Sequence, residues 1–260
     1  VSATTAGGAG QALIGTGTDE VAAFARDGVL NWGPFLRPEE LDPVRAAMER
    51  AFYAGAEGEA VAADVRDLSE RRGKPLEYGL LQKVDLWQTE PVFAALVARP
   101  DVVARVEALL GGPVRLFRDH AFYKPAGKGE ASNLVLHQDN RYWHLDPPTA
   151  ATIWVALDDA TVANGCVHYV LGSHTRGRIG HERTDPDSVL VEAVTDEEAV
   201  PYPVPAGSAL IHHAQTLHGS PPNTTPWPRR AYCVVYMRAD ILRRGEPVTD
   251  YPLATELAAN

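Results

Sequence analysis

Cysteine is scarce in this chain. Cys166 and Cys233 are the only two among 260 residues, too few for a disulfide framework and, by themselves, for a structural zinc site. A reducing cytoplasm is therefore the expected compartment. Positive charge is also short: 24 Lys and Arg stand against 34 Asp and Glu, for a formal net charge of −10. That balance argues against a general binder of nucleic acid or anionic membrane. No apolar run approaches the ~20 residues of a membrane span. Val1 to Gly17 lack both basic residues and a continuous apolar core, so no signal peptide is expected there. Lysine is rarest of the charged residues, four against twenty arginines, which reads as GC-rich coding rather than chemistry.

What remains is an ordinary globular composition, 45% hydrophobic and 22% charged, long enough for a sizeable β core. Residues 1–17, rich in Gly, Ala and Thr, are expected to form a flexible N-terminal segment, and 18–260 a single domain. Its first part, about 18–112, reads as helical. Thr18 or Asp19 can cap a helix to Asp27-Gly28, and Val29 to Trp32 reads as a short strand. Pro38 opens a second helix, with Leu41, Val44, Met48 and Phe52 at helical spacing. Residues 54–76 read as loop. A third helix spans Pro91 to Leu110, split near Pro100 and ended by Gly111-Gly112.

From Val114 the period changes from helical to alternating. Short β-like runs fall at 114–124, 133–139, 150–158, 166–171, 188–194, 208–214 and 230–238, punctuated by Gly, Pro, Asn and Asp. Seven such strands after an α-rich third predict a mainly β fold with flanking α-helices, its core about 113–240 a jelly-roll or double-sheet barrel. The polar, acidic stretch 175–200, with Glu182, Asp185, Asp187, Asp196, Glu197 and Glu198, reads as an insertion or lid, or simply as a solvated loop.

Two His-x-Asp triplets occur, His137-Gln138-Asp139 and His144-Leu145-Asp146. Chance alone supplies such triplets in a chain this acidic, so context must separate them. Asn133 to Leu136 runs straight into His137, placing the first triplet at a strand end, where residues two apart share a face and can share one ligand. The second runs into Pro147-Pro148, where the backbone is irregular. A third donor must come from a neighbouring strand. His218, after a turn and strand, is the candidate; His212 and His213 compete, and being adjacent they cannot both face inward. Two histidines and one carboxylate leave open positions on a metal and favour Fe(II) with dioxygen, although a zinc hydrolase uses similar donors.

Arg229 begins a strand whose same-face neighbours are Ala231, Cys233 and Val235, small and apolar as a barrel interior would be. An inward arginine there needs an anionic partner, which a dicarboxylate cosubstrate supplies through a bidentate pair. The plain alternative is an exposed arginine at a strand end. Arg230 points the other way.

Taken in register, several segments resemble the phytanoyl-CoA dioxygenase family of Fe(II)/2-oxoglutarate oxygenases. They are Phe122-Tyr123-Lys124-Pro125, His137-Gln138-Asp139, Thr152 to Asp159, Asn164-Gly165 with Leu171-Gly172-Ser173-His174, and His218-Gly219-Ser220 with Asn223 and Pro228-Arg229-Arg230. The N-terminal pieces Phe24 to Val29 and Phe35 to Leu41 are similar too, so the resemblance covers about 20–240. It implies a double-stranded β-helix (cupin-like) core, with Fe(II), 2-oxoglutarate and O2 as cofactors. It implies His137, Asp139 and His218 as the metal and catalytic residues, and Arg229 with Ser220 on the distal carboxylate of 2-oxoglutarate. Lys124, Gln138 and Trp154 match positions that line the cosubstrate pocket. His174 lies in a structural signature. Related halogenases replace the metal-binding carboxylate with a small residue; Asp139 is present here and points to an oxygenase.

The implied reaction oxidises, most simply hydroxylates, an unactivated C–H bond of a small molecule, with release of succinate and CO2. Epimerisation, desaturation and ring closure begin with the same hydrogen abstraction and stay open. Asn140, Tyr142, Trp143 and His144, which follow the triplet, are candidates for substrate contact, as are Gln82 and Arg118; core packing is the rival reading for Tyr142 and Trp143. An acyl-CoA would want a basic surface, and only Arg71-Arg72-Gly73-Lys74 and Arg243-Arg244 form small basic groups. A free small molecule of specialised metabolism is therefore expected, with no nucleic-acid or membrane partner, in a monomer or a homodimer. The acidic 182–198 segment would suit a cationic substrate such as an aminated sugar. Two rival functions remain: a metal-dependent hydrolase or isomerase on a cupin-like barrel, and a non-catalytic binding module.

Overall fold

The computed structural model describes residues 17–54, 60–69, 78–179 and 198–257. The expected flexible N-terminal segment before Gly17, the basic group 71–74, the strand 188–194 and the acids from Glu182 to Glu197 lie outside the described residues.

The helices follow their local signals. Helix α1 (Thr18–Asp27) carries Asp19 and Glu20 in its first turn, where they favour the positive end of the helix dipole. It stops at Gly28, whose φ is 73°; a Cβ there would meet His174 Nδ1 at 2.4 Å and Thr216 Oγ1 at 2.5 Å. Helix α2 (Pro38–Phe52) begins on a proline, whose missing N–H costs nothing at that position, and buries Val44, Met48 and Phe52 at the predicted spacing. The third predicted helix is two, α3 (Pro91–Val97) and α4 (Pro100–Leu110), divided at the second proline as the sequence indicated.

Eleven strands build the two sheets that matter here. They are β1 (Val29–Pro34), β2 (Arg66–Asp67), β3 (Leu81–Val84), β4 (Val114–Lys124), β5 (Leu134–His137), β6 (Ala150–Ala156), β7 (His168–Tyr169), β8 (Val200–Pro201), β9 (Ser208–His213), β10 (His218–Ser220) and β11 (Arg229–Arg238). The larger sheet runs β1-β9-β6-β11-β4-β3-β2 and the smaller β8-β7-β10-β5, all pairs antiparallel. This is the mainly β, double-sheet architecture with flanking helices that the strand count predicted, and the double-stranded β-helix that the family resemblance implied. The region read as loop, 54–76, departs from that reading where it is described. Tyr53–Ala54 pairs with Ala60–Val61, and β2 extends the edge of the large sheet. Strand β3 is too short to show alternation of its own. Of the expected insertion 175–200, the described ends are a 3-10 turn (Ser173–Arg176) and strand β8.

Alternation along the large sheet divides two cores. One face sends Ile153, Val155, Ile211, Tyr232, Val234 and Tyr236 against the helices, where they meet Val44, Phe52, Phe93, Val97 and Val106. The other sends Trp154, Ala156, Leu210, Ala231 and Cys233 inward, with Tyr169 of the smaller sheet. Arg230 follows the outer set and pairs with Asp158 and Glu49. Among the described residues no helix is long and apolar enough to cross a membrane.

Among the described residues the helix-facing side contains one buried acid, Asp119. Its Oδ2 accepts bonds from the Tyr232 hydroxyl at 2.7 Å and the Trp87 N–H at 2.9 Å, while Oδ1 has no partner. Burial pushes its carboxyl up to about 7 from an ordinary 3.8. A carboxyl whose folded pKa is raised adds stability that is full below the unfolded value and is lost as pH climbs through the folded one. The shift corresponds to about 4 kcal/mol at most. The buried histidines and Lys124 titrate alike in wild type and Asp119→Asn, so the wild-type urea midpoint measured relative to that of Asp119→Asn should fall between about pH 5 and pH 8. A difference that does not change with pH would remove Asp119 as a titrating group.

Candidate metal centre

Three donors converge at the edge of the smaller sheet. The register of β10 on β5 sets His218 opposite His137, with ring centroids 4.3 Å apart. The strand then ends at His137. Asp139 lies beyond it, with helical φ −57° and ψ −42°, as the cap of a short helix, α5 (Asn140–Trp143). The shared strand face expected for His137 and Asp139 is therefore replaced by a turn. The turn carries Asp139 Oδ1 to 3.7 Å from His137 Nε2 and 3.8 Å from His218 Nε2. One donor atom of each of the three residues lies within 4.8 Å of the others, the one such grouping among the described residues. His144 and Asp146 do not join it.

The histidines are oriented from behind. His137 Nδ1 faces the Val135 carbonyl at 2.9 Å, and His218 Nδ1 faces that of Thr216 at 2.9 Å. A carbonyl only accepts, so each Nδ1 carries the hydrogen and each Nε2 offers its lone pair to the centre. Asp139 Oδ2 accepts from Thr152 Oγ1 at 2.9 Å and lies 3.3 Å from His212 Nε2; His212 Nδ1 in turn lies 3.0 Å from the Tyr169 hydroxyl. Burial works to raise the Asp139 carboxyl, but the charge of His218 and the hydrogen bonds and charges of the neighbouring histidines outweigh it. Its pKa is held well below the usual range. Burial, with His212 and His137 adding to it, drives His218 well below the ordinary histidine value. Of the adjacent pair, His212 faces in. His213 faces out against Phe24 and His174, and burial lowers it to about 4.

The second feature is Arg229, 2% exposed. Its Nη2 donates to Ser220 Oγ at 2.7 Å and the Gly165 carbonyl at 3.1 Å, and its guanidinium carbon lies 5.3 Å from the Trp154 ring centroid. Nε and Nη1 are buried without a partner. Burial lowers the group only to about 10, so it remains a cation at neutral pH. A buried cation with two free donors is suited to a carboxylate. Lys124 sits opposite Arg229 in the ladder and donates to the carbonyls of Ser220 at 2.8 Å and Pro221 at 2.6 Å. Burial, then the charge of Arg229, lowers it to about 5. It is a neutral brace for the Ser220 backbone, not a second positive charge. Gly165, at φ 76°, closes this end, since a Cβ there would meet the Pro221 carbonyl oxygen at 2.1 Å.

The remaining sequence candidates divide. Gln138 is taken up by backbone. Its amide nitrogen Nε2 donates to the carbonyls of Gly177 and Gln215 at 2.9 and 2.8 Å, and Oε1 accepts the Ile179 N–H at 3.0 Å. It clamps backbone rather than lining a pocket. Asn140 is likewise occupied, exchanging two hydrogen bonds with the Leu145 backbone. Trp143 is core, packed on Phe117 at 5.4 Å. His144 is exposed at the end of α5 with φ 57°. Tyr142, 45% exposed, is the one of these four beside the donors, 6.1 Å from the His137 ring. Gln82 and Arg118 face the interior, opposite Phe122 and Val235. Sequence reasoning missed Thr152, Tyr169 and His120. Counting by twos from Trp154 and from Lys124 would have found Thr152 and His120; Tyr169 carried no local signal.

Comparison with known proteins places this geometry. The family described as phytanoyl-CoA dioxygenase (PhyH) matches residues 24–231. The chain is similar to phytanoyl-CoA dioxygenase domain-containing protein 1 of Mus musculus, 32% identical over 160 residues, which cover 58% of this chain and 54% of that protein. The chain thus spans about half the length of the first curated relatives it matches. Among solved structures it resembles the epimerase SnoN in complex with Fe3+, alpha ketoglutarate and nogalamycin RO. The TM-score is 0.72 at 25% identity, over 90% of this chain and 96% of that one. It also resembles the non-heme alpha ketoglutarate dependent carbocyclase SnoK from nogalamycin biosynthesis, with TM-score 0.71 at 26% identity over 90% and 89% of the two chains.

The assignment of Trp143 to the core has a direct check. Trp143→Ala should destabilise the fold by about 3 kcal/mol, as a large-to-small core change does. A variant of unaltered stability in urea denaturation would return Trp143 to the substrate-contact reading.

Proposed function

The chain belongs to the phytanoyl-CoA dioxygenase family, and we propose that it is an Fe(II)/2-oxoglutarate-dependent oxygenase of specialised metabolism. On this reading it oxidises a C–H bond of a free small molecule, most simply by hydroxylation, and releases succinate and CO2. The observation that carries the reading is Arg229: a buried cation with two unpartnered nitrogens on the same interior as three converging donors. A hydrolase or isomerase on this barrel would need the donors but has no use for Arg229.

In this assignment His137 Nε2, Asp139 Oδ1 and His218 Nε2 hold the metal, and a two-histidine, one-carboxylate set leaves the other coordination positions open. Iron with 2-oxoglutarate and O2 supplies, when bound, the oxidising power that removes a hydrogen atom from the substrate carbon. The protein's own part is positional. Arg229 and Ser220 take the distal carboxylate of 2-oxoglutarate, Trp154 walls it, and Lys124 fixes the backbone that presents Ser220. Thr152 and His212 hold Asp139 so that Oδ1 faces the histidines. Gln138 ties the turn after His137 to residues 177–179. The apolar interior around Trp154, Ala231 and Cys233 keeps water from the reacting centre.

A second outcome, epimerisation or ring closure from the same abstraction, is favoured by the likeness to an epimerase and a carbocyclase over 90% of the chain.

The test is made without oxygen. Fe(II) and then 2-oxoglutarate are added to the purified chain, and the visible charge-transfer band of the ternary complex is measured. The band should form with the wild type and be absent in His137→Ala and Asp139→Ala. Arg229→Ala should weaken 2-oxoglutarate about a hundredfold, or ~2.7 kcal/mol, while iron still binds. No band from folded, iron-loaded wild type would overturn the oxygenase reading in favour of the hydrolase or isomerase.

A further inference from the structure

The inner face of β4 carries more cation than the iron and cosubstrate assignments use. Side chains alternate along it: Arg118, His120, Phe122 and Lys124 share the interior side. Lys124 and its neighbour Arg229 serve one end. Arg118 is at the other, six residues of extended strand away, about 20 Å from Cα to Cα. One carboxylate cannot engage both ends. Arg118 is opposite Val235, and Val235 is opposite Thr152, the residue that bonds Asp139. Arg118 therefore lies in the same row as the donor cluster, two strand spacings or about 10 Å across the sheet.

Among the described residues neither Arg118 nor His120 has a partner that explains it. Arg118 makes no ion pair or hydrogen bond among the described residues; its Nε is buried and unpartnered, and its guanidinium carbon lies 5.2 Å from the Phe117 ring centroid. In a chain of net charge −10, acids were available to pair with it. Arg230, Arg105 and Arg99 all have theirs. His120 is 8% exposed, and its Nδ1 is buried without a partner. Its ring meets Phe122 edge-on at 5.0 Å, and it lies within range of the charges of Asp139, Arg118, His212 and His137. It therefore faces the centre. Burial lowers it to about 4, so it is a neutral imidazole with one N–H to donate.

We propose that Arg118 and His120 form the recognition subsite for a carboxylate on the organic substrate, and that the carbon to be oxidised lies between this subsite and the His137, Asp139 and His218 cluster. The inference rests on the oxygenase reading and names its substrate class. Arg118 offers the planar fork that matches a carboxylate, and His120 adds a further donor. Phe117 and Phe122, beside the two donors, suit an apolar or aromatic body on the acid. The expectation of a cationic, aminated substrate drew on the acids between Glu182 and Glu198; the described interior presents the opposite charge.

The probes are matched acid and amide pairs: phenylacetate, 3-phenylpropionate and indole-3-acetate against their primary amides. Binding to the iron-loaded chain is read by melting temperature and ligand-observed NMR, with 2-oxoglutarate saturating so that Arg229 is engaged. The acids should bind at least about tenfold better than the amides. Arg118→Gln should abolish that preference. His120→Phe, which keeps the packing, should reduce it, and Arg118→Lys should retain part of it. Equal binding of acids and amides, an acid preference that survives Arg118→Gln, or a wild type that binds none of the probes would each overturn the subsite. The charge-transfer band recorded on the same samples separates the two readings. Arg118-dependent acid binding without a band leaves the subsite standing and removes the oxygenase. A band without Arg118 dependence does the reverse.

Discussion

The site depends on the twofold alternation of side chains across the large sheet. Strand β11 alone shows the constraint. Arg229, Ala231, Cys233 and Val235 point inward, while Arg230, Tyr232, Val234 and Tyr236 point to the helices. A slip of one residue would exchange the two sets, burying Arg230 in the interior and exposing the aromatic core. The helix-side packing of Tyr232 on Phe93, stacked at 4.4 Å, therefore fixes the position of Arg229 on the opposite face. The core and the site share one register, and the apolar side enforces it.

Within that frame, charge is managed by enclosure rather than by pairing at the surface. Asp139 is the one carboxylate of the centre, and its second oxygen is held by Thr152 and His212 so that the first faces His137 and His218. Burying an anion is costly unless donors surround it; here histidines and a hydroxyl do so. Arg229 and Lys124 solve the opposite problem differently. Arg229 stays charged and keeps two nitrogens free, whereas Lys124 gives up its charge and is satisfied by two backbone carbonyls. The interior thus keeps a single strong cation at that end. It keeps a second, Arg118, at the other.

Much of the frame was legible in the linear chain because its signals are local. Prolines at 38, 91 and 100 start helices where the sequence placed them, and the runs at 114–124, 150–158, 208–214 and 230–238 contain the long strands of the large sheet. The inward direction of Arg229 followed from its small same-face neighbours. Strand β3 and the role of Asn140 were not legible. Four residues are too few to show a period, and an asparagine after a strand looks the same whether it bonds a ligand or, as here, the Leu145 backbone. Gln138 misled for the same reason: its neighbours in sequence face the centre, but its own partners are forty residues away.

The sequence by itself determined the strand periods, the helix ends, the separation of the two faces and the His137 and Asp139 pair, because each is written within a few residues of backbone, while His218 stayed one of three competing histidines until the family resemblance singled it out. The tertiary structure alone decided which atoms meet. Opposing His218 to His137 required pairing across eighty residues, and presenting Asp139 by a turn rather than a strand required α5 to form beyond it. Leaving Arg118, His120 and Arg229 with free nitrogens required every neighbouring element to be in place. An unmet hydrogen bond is a property of the surroundings of a group, and the surroundings exist only once the chain has closed upon itself.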